Sequence, residues 1–199
     1  PTMLPDSETQ KKFLMSLEDI SQFYTRDAEV IFPKPKTRLF HKFTEIFSAK
    51  YSEKSIESIL DEIFGDIRMD DLGKPVLIPS YNITTNSPVS FTHDNALAVK
   101  DVLRSTSAAP TYFKPAEFMY HGEKQKFVDG GIYANNPLLL LYAKAKELYP
   151  HHKIKILSMS CGSCPQLMDK AQGNGLLNWA PNIADTLMMA SEKMTLQVA

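Results

Sequence analysis

The alternation of strand-like and helix-like segments predicts an α/β fold, and three observations carry that reading. Residues 125–128, 138–148 and 153–160 read in succession as strand, helix and strand, an order that implies a right-handed crossover between parallel strands. Val76, Leu77 and Ile78 form a continuous apolar run, which suits a strand covered on both faces. Elsewhere apolar residues recur at helical spacing, so each predicted helix has one face to bury.

In chain order, Ser7 followed by Gln10 reads as a capping box. Phe13, Leu14, Leu17, Ile20, Phe23 and Tyr24 then give the stripe of a core-facing helix. Pro33 and Pro35 interrupt any helix over 31–36, because each proline disfavours helical backbone in the residue before it. A second amphipathic segment places Leu39, Phe40, Phe43, Ile46 and Phe47 on one side and Lys36, Arg38, Lys42 and Lys50 elsewhere. A basic helix with an aromatic face suits a membrane surface, but a stripe of this width is also what a layered protein buries, and packing is the preferred reading. Residues 55–64 form a third helix, with Ile56, Ile59, Leu60, Ile63 and Phe64 as its buried side and Gly65 as its stop. Asp66, Asp70 and Asp71 lack the spacing of a calcium loop and read as a solvated connector.

Residues 75–83 and 88–91, apolar and β-branched about a turn at 84–87, read as a hairpin. His93 beyond it reads as a surface side chain, or one that supports a site from behind, rather than a base. Residues 96–105 read as a helix that ends before Ala108, Ala109 and Pro110. Residues 117–120 and 125–128 read as two strands joined at 121–124, the second leading into Asp129, Gly130 and Gly131. Pro137 fits the first turn of the helix 138–148, where no N–H is required, with Asn135 or Asn136 to cap it. Residues 174–199 read as helical, kinked or split at Pro181, with Ile183, Leu187, Met188, Met194 and Leu196 in the apolar set. Met168, Met188, Met189 and Met194 read as core gap-fillers rather than a lipid-lining surface.

With 199 residues, 43% of them hydrophobic, the chain can build one ordinary globular domain. A formal net charge of −1 argues against a nucleic-acid footprint. No apolar run approaches the length of a membrane span, and the first five residues lack the basic-then-apolar order of a secretory signal. The expected location is the cytoplasm or the membrane periphery, with secretion left open. The two cysteines, Cys161 and Cys164, form a C-x-x-C pair. Redox pairs and half zinc sites share that spacing, but only His151 and His152 lie near enough to supply further ligands. Two incidental thiols after a strand is the preferred reading.

The stretch that carries chemistry is Asp129-Gly130-Gly131, followed by Asn135-Asn136-Pro137. Its glycines tolerate positive φ and let another segment come close to the carboxylate. A strand-to-helix turn with an aspartate is common and does not by itself mark a site. The segment upstream, Ser107-Ala108-Ala109-Pro110-Thr111-Tyr112-Phe113, changes the reading. Together these motifs resemble the patatin-like phospholipase family, in which a Ser-Ala-Ala-Pro-x-x-Phe segment precedes, by a short hairpin, an Asp-Gly-Gly or Asp-Gly-Ala box. The likeness is strong over 76–163 and weaker over the flanking helices.

The resemblance implies a three-layer α/β/α sandwich with a central, mostly parallel sheet. It implies a lipid acyl hydrolase of the phospholipase A type, acting on a lipid or membrane-surface substrate without metal or cofactor. Asp129 corresponds to the catalytic aspartate of a Ser-Asp dyad, Gly130, Gly131, Asn135 and Asn136 to the motif around it, and Pro110 to the turn that packs beside it. In the family the serine sits in a G-x-S-x-G elbow and a glycine-rich loop supplies the oxyanion hole. No serine of this chain has glycines two before and two after it; Ser163 follows Gly162, but Cys161 and Pro165 hold the outer positions. The expectation is that residues 1–199 form one domain, the C-terminal portion of a patatin-like catalytic domain. Its serine would lie outside this chain, and the 199 residues alone would be inactive. The alternative is a non-catalytic patatin-like module that binds lipid or a protein partner.

Overall fold

The computed structural model describes residues 16–22, 25, 28–33, 49–160, 162 and 183–199. The capping box at Ser7, most of the basic amphipathic segment, Cys161, Cys164, Met168 and the break at Pro181 lie outside them. Eleven elements are described here in chain order: α1 (Leu17–Gln22), α2 (Ala28–Ile31), α3 (Glu53–Phe64), β1 (Leu77–Asn82), β2 (Ser87–Thr92) and α4 (Val99–Thr106), then β3 (Ala116–Tyr120), β4 (Glu123–Asp129), α5 (Gly131–Ala134), α6 (Leu138–Leu148) and α7 (Ile183–Val198).

The four strands form one sheet in the order β2-β1-β4-β3, and every neighbouring pair is antiparallel. The α/β class therefore stands, and the expectation of a mostly parallel sheet does not hold for the described residues. The reason lies in the connections. β1 and β2 are joined by a tight turn containing Asn86 at φ 54°, and β3 and β4 by His121 and Gly122 at φ 52° and 84°, the paired positive values of a two-residue hairpin loop. Such loops can only join antiparallel strands. The predicted strand at 153–160 is not a strand either. Its backbone has no ladder partner among the described residues, and Leu157 and Met159 stand 82% and 84% exposed.

Helices lie on both faces of the sheet. Register places Ile78, Ser80 and Asn82 of β1 on one face with Phe91 of β2, Phe127 of β4 and Phe118 of β3. That face packs on Val99 and Val102 of α4, and Met69 completes a cluster in which Phe91, Phe127, Met69 and Val102 are wholly buried. Phe118 and Phe127 stack with ring centres 4.5 Å apart, the offset pairing that aromatic quadrupoles favour. Behind α4 lies α3, stopped by Gly65 as its sequence predicts and capped by Ser52, three residues before its predicted start. Its Ile56 and Leu60 join Ile31 and Phe113 in a second cluster. The opposite face carries Tyr81 and Val128, and Tyr133 of α5 packs there against the Tyr81 ring and donates its hydroxyl to the Val89 carbonyl.

The buried polar groups of β1 are matched inside the sheet. Ser80 Oγ donates to the Val128 carbonyl at 2.8 Å, and Asn82 Nδ2 donates to Gln125 Oε1. The Asn82 carbonyl oxygen then accepts the N–H groups of Thr84 and Thr85 and shapes the turn into β2. These bonds hold β1 against β4 where β4 ends, at the carboxylate of Asp129.

Candidate active site

Three segments meet at the end of β4. Asp129 pairs across the ladder with Ser80 of β1. Its N–H donates to the carbonyl of Ala108, 3.0 Å away, in the turn that follows α4. Thr106, the last residue of α4, donates its hydroxyl to the Pro79 carbonyl at 2.7 Å. The small-residue turn and the Asp-Gly-Gly box are thus joined by backbone hydrogen bonding, and this is the physical link between motifs that the sequence keeps about twenty residues apart.

Gly130 is required by space rather than by its dihedral angles. Its φ is −68°, an ordinary helical value, but a Cβ there would lie 2.3 Å from the Pro79 carbonyl carbon and 2.4 Å from its oxygen. Only glycine lets β4 turn off this close to β1. Gly131 opens α5, and its N–H donates to Asp129 Oδ1 at 2.7 Å. The aspartate therefore folds back on the turn it starts, with Oδ1 held and Oδ2 free of hydrogen bonds among the described residues.

Asp129 is half-buried and has no ion-pair partner among the described residues. Desolvation raises its pKa above the ordinary carboxylate value, and the Gly131 N–H opposes part of that rise. A carboxylate with a perturbed pKa and no structural counter-ion is the kind of group that takes part in proton transfer.

The other predicted site residues surround this corner. Pro110 lies in the turn between Ala108 and Phe113; the carbonyls of Thr111 and Tyr112 accept the N–H groups of Lys50 and Tyr51, and Phe113 anchors the turn in the second core cluster. Thr111 there has φ 74°. Asn136 Oδ1 caps α6 through the Leu138 N–H at 3.1 Å, as predicted, and its Nδ2 donates to Ser158 Oγ. Asn135 is engaged by α7: its N–H donates to Ser191 Oγ and its Nδ2 to Glu192 Oε2, both at 3.2 Å.

Sequence reasoning missed two contributors, Thr106 and the polar side of α7. The predicted apolar set of that helix is mostly outward, with Leu187, Met194 and Leu196 exposed. Of that set Met188 does face inward, and it lies in one stripe with Ser191, Glu192 and Thr195, spaced i, i+3, i+4 and i+7. The signal was present as Ser191 and Thr195 at i and i+4 beside Met188.

Two cavities elsewhere are not lined by Asp129. One of about 480 Å³ lies among Glu57, Asp61, Lys100, Arg104 and Glu117. The other, of about 330 Å³, lies among Val76, Leu77, His93, Leu141 and Leu148. His93, part-buried on the wall of the second cavity, places its Nε2 3.2 Å from Asp94 Oδ1, and its Nδ1 is buried without a hydrogen-bond partner among the described residues. The described residues hold no cluster of potential metal ligands, and none of the described helices is long and apolar enough to cross a membrane.

Residues 11–142 match the family described as patatin-like phospholipase. The chain belongs to that family. It is 28% identical over 213 aligned positions to patatin-like protein 2 of Oryza sativa subsp. indica, covering 89% of this chain and 52% of the relative. It is 29% identical over 228 positions to patatin-like protein 1 of Arabidopsis thaliana, covering 96% and 55%. Patatin-T5 of Solanum tuberosum is 33% identical over 155 positions, covering 71% of the chain and 38% of the relative. The chain spans about half the length of the first two of these curated relatives.

Two predictions follow from the corner's geometry. Gly130→Ala is expected to cost about 3 kcal/mol or more through overpacking against Pro79. That cost corresponds to a fall in Tm of roughly 6–12 °C for a chain of this size; a fall of only a degree or two would contradict the close approach. Asp129→Asn is expected to raise stability near pH 7. The folded state binds the Asp129 proton more tightly than the unfolded chain, so the carboxyl group favours folding most below its ordinary pKa. That contribution is lost as pH rises through the raised value. Thermal unfolding of parent and variant near pH 7 and near pH 4 reads the difference, which should shrink on acidification.

Proposed function

We propose that this chain is the C-terminal portion of the catalytic domain of a lipid acyl hydrolase of the phospholipase A type. Asp129 is the base of a Ser-Asp dyad whose serine is supplied by polypeptide outside these 199 residues. The observation that carries the reading is the state of Asp129: raised in pKa by desolvation, and, among the described residues, without a counter-ion and with Oδ2 free of hydrogen bonds. Family membership and the share of the relatives that the chain spans support it.

A serine hydroxyl is a weak nucleophile at neutral pH and needs a base within about 2.6–3.2 Å. In a dyad the carboxylate takes the role that histidine plays in a triad. Asp129 Oδ2 accepts the serine proton as Oγ attacks the ester carbonyl carbon. When the tetrahedral intermediate collapses, the C–O bond to the alcohol breaks and the alkoxide takes that proton. Water then enters, gives a proton to Asp129, and attacks the acyl-serine; serine leaves with the proton and the acyl group departs as the acid. The Gly131 N–H keeps Oδ1 fixed throughout, so that one oxygen is held and the other serves the proton.

The test is hydrolysis of phosphatidylcholine vesicles and of a p-nitrophenyl acyl ester by the intact protein. Asp129→Asn is expected to lower the rate by a factor on the order of 10³–10⁴. Equal rates in parent and variant would reject the role of the carboxylate. Vesicle binding without hydrolysis in the parent would support the non-catalytic module instead.

A further inference from the structure

We propose that α7 is a positioning element for Asp129, with Met188 closing the side of the carboxylate chamber and Ser191, Glu192 and Thr195 latching the helix to the Asn135–Asn136 corner. This rests on the reading of Asp129 as the base and adds a second element that holds it. A Cβ placed on Gly131 would lie 3.1 Å from Asp129 Oδ1, 3.2 Å from Asn135 Oδ1 and 3.4 Å from the Met188 methyl. The Met188 methyl and the carboxylate oxygen thus both lie within 3.4 Å of the point where a Gly131 side chain would begin. Three hydrogen bonds keep the helix there: Ser191 Oγ accepts the Asn135 N–H and Glu192 Oε2 accepts Asn135 Nδ2, both at 3.2 Å, while Thr195 Oγ1 donates to the Asn136 carbonyl at 3.3 Å.

The burial pattern fits a helix docked by this stripe together with Ala184, which is 5% exposed. Thr195 is 3% exposed, whereas Ile183, Leu187, Met194, Leu196 and Val198 on the other sides of α7 are exposed. A polar residue buried that deeply is there for its hydrogen bond, since leaving the Asn136 carbonyl unmatched would carry a desolvation cost. The corner it grips connects to Asp129 through the single helical turn of α5, whose first N–H holds Oδ1. Burial raises the Asp129 pKa, and in this proposal the thioether methyl of Met188 is one of the groups that withhold water from the carboxylate. Besides Asp129, the titratable groups on these elements are Asp185, Glu192 and Lys193 of α7, Tyr133 of α5, Tyr81 of β1 and Glu123, Lys124 and Lys126 of β4. The polar ends of Glu192, Tyr133 and Tyr81 are taken by Asn135, Val89 and Asn86.

The experiment follows the Asp129 carboxyl carbon by NMR in the intact protein, labelled at aspartate carboxyls and assigned with Asp129→Asn. The parent midpoint is expected above that of an ordinary aspartate. Met188→Ala and the double variant Ser191→Ala/Thr195→Val are expected to shift it downward, as water reaches the group, and Met188→Leu is expected to keep the parent value. Folded variants that leave the midpoint unmoved would overturn the proposal, and so would a parent midpoint already at the ordinary value. Should the double variant fail to fold, the Met188 pair decides alone. The readout does not depend on turnover, so a failed α7 assignment is distinguishable from a failed dyad, which the hydrolysis assay judges separately.

Discussion

The hydrogen bond from the Asp129 N–H to the Ala108 carbonyl is the constraint on which the rest of the site depends. It closes a loop between the end of α4 and the end of β4, so that the turn after one element fixes where the other stops. Ala108 is wholly buried, and a side chain larger than methyl there would push the carbonyl away from β4. The same corner demands a glycine next, because β1 passes within van der Waals distance at Pro79. Steric need and hydrogen bonding therefore select the residue types on both sides of the aspartate, before any chemistry is asked of it.

Packing explains why the corner is rigid. α4 lies along one face of the sheet and presents Val99 and Val102 to Phe91 and Phe127, while Arg104 on its other side bonds Glu57 of α3 at 3.1 Å and the Lys114 carbonyl at 2.8 Å. The helix is held front and back, and its C-terminal Thr106 is tied to Pro79. On the far side of the corner the described residues are less closely packed. No residue of α6 is buried, and the extended run after it presents Leu157 and Met159 to solvent. Among the described residues the carboxylate thus sits between the packed face under α4 and the more exposed α6.

Local elements were legible from sequence because local physics sets them. The helix ending at Gly65, the hairpin about Thr84 and Thr85, the pair of strands delivering Asp129 and the Asn136 cap of α6 all followed from capping residues, turn residues and periodicity. Strand direction was not legible. The run at 154–159 has the apolar content of an interior parallel strand, but a ladder needs a partner, and pairing between distant segments is not written in either one alone. The face of α7 was misjudged for a related reason. Counting apolar residues pointed to Leu187, Met194 and Leu196, whereas the helix docks by the hydroxyls of Ser191 and Thr195, which have value only once the Asn135–Asn136 corner is placed. The role of Gly130 was legible in kind and not in cause: glycine was needed for proximity, and its φ is ordinary.

The central claim is that Asp129 takes a proton from a serine hydroxyl. Its most direct measurement is the pH dependence of the rate at which a fluorophosphonate ester, which reacts with activated serines, inactivates the intact protein. The account predicts a rate that rises through a single ionisation lying above the ordinary aspartate range, matching the carboxyl midpoint of Asp129, and that nearly vanishes in Asp129→Asn. A rate that shows no such ionisation, or that survives the substitution, would contradict it.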